Sequence, residues 1–222
     1  MGWGLSPAVS AAEATGYMLQ HLLIGMYAPL LLLLGAPVTV VLGAASTTWR
    51  ARLGRVLKST GLHLVSHPAT AAALHIGPLF LLYLTPVYTL MMTSWAWHVI
   101  FMVHFVLAGT LFAWSIAGPD PAPRRPGVVT RAAVLVLSGG LHAWLATLIY
   151  SRAESLPTAA HHGADGAAGA EELRSAAQLM YYGGDGAEIL LAIALFAGWY
   201  RSRTRGPIRR REAGRRLSPS GR

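Results

Sequence analysis

Residues 97–116 read WHVIFMVHFVLAGTLFAWSI, twenty positions without Asp, Glu, Lys or Arg. At about 1.5 Å of rise per residue, a helix of that length crosses the roughly 30 Å hydrocarbon core of a bilayer. Four further runs of this kind flank it, at about Tyr17–Leu42, Ala69–Tyr88, Val128–Tyr150 and Gln178–Tyr200. In the first of them Pro29 and Pro37 should kink the helix or end it early. The 222 residues are 54% hydrophobic and only 12% charged, too apolar for an ordinary soluble domain of this size. The predicted fold is all-α, a polytopic bundle of about five transmembrane helices.

The charged residues orient that bundle. Basic side chains resist translocation, so loops rich in Lys and Arg stay on the cytoplasmic side. Arg50, Arg52, Arg55 and Lys58 fill the first loop, the loop from Met91 to Ala96 has no basic residue, and Arg124, Arg125 and Arg131 fill the next. The fourth loop sets Arg152 and Arg174 against Glu154, Asp165, Glu171 and Glu172. Nine of the eighteen basic residues follow Tyr200. The alternation predicts an external N-terminus and a cytoplasmic C-terminus. Residues 1–16 lack the basic start of a signal peptide and are expected to form an external lead-in, with the bundle over 17–200 and a disordered basic cytoplasmic tail over 201–222. Although the net charge is +9, half of the basic residues sit in that tail without an aromatic platform. Anionic lipid headgroups are a better partner for it than nucleic acid.

Cysteine is absent, which removes disulfides, zinc ribbons and thiolate copper sites, and leaves His, Met, Asp, Glu and Tyr as metal donors. An ionisable side chain inside a span costs on the order of 3 kcal/mol on insertion scales and needs a partner or a function. Measured by helical rise from the external ends, His21 lies roughly 6 Å deep, His104 and His142 about 12 Å, and Asp185 about 10 Å. Four helices thus bring one group each to a layer in the outer half, and His98 caps that layer. Imidazole suits copper in either oxidation state, and the thioethers of Met18, Met26 and Met102 favour Cu(I). Tyr17, Gln20, Gln178, Tyr181 and Tyr182 are candidates for hydrogen bonds that orient the rings. The plainer alternative is that each histidine only links neighbouring helices. His75, nearer the cytoplasmic end, is expected to pack. His63 and His67 are read as structural, and His161 and His162 as a solvated pair in the Thr158–Ala170 loop. Glu188 either shares the surroundings of Asp185 or pairs with a neighbouring basic group. The Gly pairs beginning at Gly139 and Gly183 suit close helix packing.

No nucleophile elbow, H-E-x-x-H, P-loop or dinucleotide glycine motif occurs, so a binding protein is favoured over an enzyme. Several segments in order resemble the CtaG-type cytochrome c oxidase assembly factors over about residues 17–203. These are YMLQHLLIGMYAPLLLLLGAPVT, HPATAAALHIGPLFLLYLTPVY, HVIFMVHFVLAGTLFAWSIAGPDPAPRR and LHAWLATLIYS. The chain departs from the family pattern at Tyr17 (His), Met102 (Asn) and Asp185 (Glu). Of the family's acidic D-Q-x-x-G-G segment it keeps an acid at Glu172, and the helices that usually precede the first His motif are not found. The resemblance implies a multi-pass protein of the bacterial plasma membrane that supplies copper to a haem-copper oxidase. Its metal residues would be His21, His98, His104 and His142, with Asp185 as a fifth, and its partners oxidase subunits or other copper chaperones. Two other readings fit the same residues: a b-type haem held between histidines such as His21 and His104, and a docking or structural subunit with no metal.

The charge alternation generates a direct prediction. A reporter fused after Arg205 should read cytoplasmic and one inserted near Ala164 external; an external tail would overturn the assigned orientation and the depths with it.

Overall fold

A computed structural model describes residues 7–35, 59–118, 125–156 and 166–216, with a few positions between 44 and 55. Arg50 and Lys58, Arg124 and the His161–His162 pair fall outside the described residues. Helix α1 (Pro7–Leu22) runs through a π-helical turn (Leu23–Tyr27) into α2 (Ala28–Leu34). After it come α3 (Thr60–Val65), α4 (Pro68–Leu84), α5 (Val87–Thr93), α6 (Trp95–Ala117), α7 (Val128–Ser151) and α8 (Gly166–Arg216). Among the described residues the regular structure is helical throughout, so the all-α polytopic bundle is as expected. Among the described residues, four segments are long and apolar enough to cross a membrane: Thr15–Leu34, Trp95–Ala117, Val128–Ser151 and Gly169–Thr204. The apolar α4, seventeen residues long, lies in the place of the expected second span.

The boundaries differ where local chemistry overrides hydropathy. Thr85 precedes Pro86, which disfavours helical backbone at the preceding residue, and Thr85 is extended (φ −131°, ψ 166°). The second helix therefore ends at Leu84 instead of Tyr88, and the chain restarts as the short α5. At its other end His67 caps α4, its Nδ1 accepting from the Ala69 N–H at 3.3 Å with Pro68 in the first turn, which is the structural role expected of it. Helix α1 begins at Pro7, inside the expected lead-in, and α8 stays helical to Arg216 where a disordered tail was expected. Extending an existing helix avoids the nucleation cost, which carries α8 into the basic segment.

The helices close into a ring. α1 packs on α8, α8 on α7, α7 on α4, α4 on α6, and α6 on the π turn and α2. The π turn has a covalent origin. Pro29 has no N–H for the Gly25 carbonyl four residues back, and the Ala28 N–H reaches past it to the Leu23 carbonyl. α6 passes directly over the freed carbonyl: a Cβ added to Gly109 would sit 1.9 Å from the Gly25 oxygen. Pro78 does the same inside α4, freeing the carbonyl of Leu74.

Two apolar clusters stack along the ring. One contains Met18, Leu79, Phe105, Leu145 and Met180, the other Leu30, Ala71, Phe112, Leu135 and Leu191. On each helix a short polar or glycine stretch separates them. The outside of the ring is apolar as well: Leu31 is 69% exposed, Leu107 64%, Val136 75% and Ile189 60%. Arginines gather at one end of the bundle, where they satisfy carbonyls at the end of α6. Arg131 donates to Ile116 O at 2.8 Å and Arg125 to Trp114 O at 3.2 Å and to Gly118 O. At the opposite end Arg174 bridges Glu154 (2.7 Å) and Glu171 (3.3 Å), tying the close of α7 to the start of α8.

Gly109→Ala should cost about 3 kcal/mol or more, because a backbone oxygen cannot move aside as a flexible side chain can. Gly140→Ala, with nothing within 4 Å of the added carbon, should leave the detergent-solubilised protein as stable as wild type. Equal melting temperatures for the two variants would disprove the close α6 crossing.

Candidate functional site

The polar layer between the two apolar clusters is built from single residues on separate helices. His21 of α1 is 8% exposed, His75 of α4 3% and His142 of α7 1%. His21 stands edge-on to Phe105 at 4.8 Å, and the missing Cβ of Gly25, one turn on, would lie 3.3 Å from its ring. His142 presses on α8 at Gly184, where an added Cβ would come within 2.3 Å of the imidazole. Gly183 opens the other side of α8 to Leu22, and its carbonyl accepts from the Tyr27 hydroxyl at 3.0 Å. The paired glycines thus let α8 meet α1 and α7 at one level, the close packing their sequence suggested.

His21, His75 and His142 lie within electrostatic range of one another, and His104 within range of His75. Both ring nitrogens of His21, Nδ1 of His75 and Nε2 of His142 are buried without a hydrogen-bond partner. Leaving such groups unsatisfied in an apolar interior costs free energy, and a neutral imidazole carries one N–H and one lone pair, so His21 has one of each without a partner. His104, half-buried, is engaged differently: its Nε2 lies 3.0 Å from the Leu74 carbonyl that Pro78 frees. A carbonyl only accepts, so Nε2 carries the hydrogen and Nδ1 keeps its lone pair, the arrangement that metal-binding histidines commonly adopt.

The expected site residues therefore divide. His21 and His142 share the buried layer within electrostatic range of each other, and His104 lies within range of His75. His98, half-buried, meets Tyr17 edge-on at 5.7 Å, at the start of α6. Asp185, also half-buried, interacts with Glu188 one turn along α8. Among the described residues, no three His, Asp or Glu side chains are close enough, as they stand, to hold a metal ion. Tyr182 is 73% exposed and Tyr181 37%, so these two face out of the ring and do not back the histidines.

His75 is the correction. It was expected near the cytoplasmic end, away from the layer, yet it joins it. The cause is the early end of α4: His75 lies nine positions from Leu84, just as His104 lies nine from Trp95 and His142 nine from Ser151. The signal was in the sequence, in the Thr85–Pro86 step. Glu188 is the other residue left undecided by sequence. Its carboxylate lies over Gly139 of α7, an added Cβ there falling 2.0 Å from Oε2.

The family model described as cytochrome c oxidase caa3 assembly factor matches residues 4–202, which hold every helix of the layer. The chain belongs to this caa3 oxidase assembly factor family. A Mycobacterium leprae protein, named only as uncharacterized, is 31% identical over 211 residues, covering 87% of this chain and 31% of that protein. Similarly named proteins of Mycobacterium bovis and Mycobacterium tuberculosis are each 33% identical over 145 residues, 62% of this chain and 22% of theirs. The chain thus spans less than a third of the length of these curated relatives. No solved structure matches it.

The fit of His142 against Gly184 makes a double-mutant test possible. Gly184→Ala alone should lower the melting temperature, and adding His142→Ala should recover part of the loss, a coupling on the order of 1 kcal/mol or more between touching residues. Strictly additive effects would show that the ring does not rest on Gly184.

Proposed function

We propose that this assembly factor resides in a bacterial plasma membrane, with the Arg125–Arg131 end cytoplasmic, and carries copper to the oxidase on the imidazoles of His21 and His142. His104 serves as a further ligand through Nδ1. The observation that carries this reading is the set of buried, unpartnered ring nitrogens on His21 and His142, in mutual electrostatic range inside the bundle. A bound copper ion would relieve the desolvation cost of those nitrogens, and neutral imidazoles fit copper in either oxidation state. Copper here is cargo. The apolar exterior supports residence in lipid, and the clustering of Arg125, Arg131 and Arg201 at one end supports the orientation.

Of the two metal readings, the close packing favours an ion over a haem. The cavity beside the layer has only about 20 Å³ of room for a water-sized sphere, so a macrocycle between the histidines would require the helices to part. His98, set against Tyr17 at the start of α6, and Asp185, whose electrostatic neighbour is Glu188, are less central to this reading.

Purified wild-type protein should take up at least one copper ion per chain and show no Soret band. His21→Ala/His142→Ala should lose at least one ion relative to wild type. Cells that depend on this chain should, with that variant, make oxidase whose activity falls several-fold while the variant accumulates normally. Copper-free wild type, a full complement in the double variant, or a Soret band would each overturn the reading.

A further inference from the structure

The small cavity beside the layer is lined by residues from separate parts of the ring. Met26 comes from the π turn, His75 from α4, Gly109 and Phe112 from α6, and Glu188 from α8. It lies one turn beyond the His21–His142 level, and three helices give the same offset. Gly25 follows His21 by four positions, Gly109 follows Phe105 by four, and Glu188 follows Gly184 by four. That spacing is about 6 Å of helical rise toward the Arg131 end.

Its donors differ from those of the histidine pair. His75 is 3% exposed with Nδ1 unpartnered, and its ring is stacked on Phe112 at 5.4 Å and 10°, which fixes its plane. Glu188 brings a carboxylate, packed over Gly139, and Met26 a thioether. Imidazole and carboxylate alone would accept many divalent ions, but a thioether beside them selects a soft, low-charge ion. The space is what one water or one ion occupies. Neutral imidazoles of the first pair leave an ion's charge uncompensated, whereas a carboxylate offsets it, and in a medium of low dielectric that difference draws a cation inward.

We propose that Met26, His75 and Glu188 form a second, inner Cu(I) station that takes the ion from His21 and His142, with His75 as the link between the two. The proposal rests on the copper-carrying reading above. No electron transfer is involved: the ion stays Cu(I) and exchanges ligands.

The test uses the full chain in detergent, in a His161→Ala/His162→Ala background that removes those two further imidazoles. It is loaded anaerobically with Cu(I) and stripped of loose metal. Wild type should hold two ions per chain. Met26→Leu, a swap that preserves volume, and Glu188→Gln should each hold one, and His21→Ala/His142→Ala should keep the inner ion. Sulfur scattering at the copper absorption edge should be present in wild type and absent in Met26→Leu. One ion in wild type that is untouched by Met26→Leu and Glu188→Gln, but lost in the histidine variant, would mean that the cavity holds water; the inner station then falls while the copper reading stands. Wild type without copper removes both. Circular dichroism and melting temperature matching wild type certify Met26→Leu as the decisive variant if Glu188→Gln fails to fold.

Discussion

Pro29 and Pro78 cannot donate the N–H that an α-helix requires, and the interior of this bundle is arranged around the two carbonyls they leave behind. Inside an apolar ring such an oxygen must be met by something, since water is excluded. Both are met by α6. Gly109 brings its backbone onto the Gly25 oxygen, and His104 donates to Leu74. Those two contacts fix the height of α6 against the first helix and against α4. They thereby set Phe105 beside His21 and Phe112 beside His75.

Glycine then makes the room that the polar groups need. Gly25 clears space for His21, Gly184 for His142 and Gly139 for Glu188, while Gly186 lies beside the Tyr27 hydroxyl, 2.8 Å from where a Cβ would be. Each is a place where a larger residue would push a polar side chain away. The apolar clusters on either side keep solvent out and make the unpartnered nitrogens costly, and that cost is what a bound ion would remove. The same packing that holds the bundle together is therefore what keeps these imidazoles buried.

Much of this was legible in the sequence. Long uncharged runs announce helical spans through the cost of exposing backbone to lipid, and the family motifs follow from several segments in order. His21 and His142 were located because helical rise converts position into depth. The same ruler misplaced His75, since the second span was read through Thr85–Pro86 to Tyr88; a helix stop there would have moved it into the layer. His98 and Asp185 share the depth or the motif of their neighbours, but depth says nothing about azimuth: His98 stands against Tyr17, and Asp185 lies within electrostatic range of Glu188. Glu188 was undecidable because its surroundings depend on Gly139 of another helix, a pairing that no single segment encodes.

In the proposed function, buried imidazoles hold copper inside the bundle. Anomalous diffraction at the copper edge, from crystals of the copper-loaded protein, tests it most directly. A peak between the rings of His21 and His142 is expected. Peaks confined to the protein surface, with those two rings still unpartnered, would contradict the account.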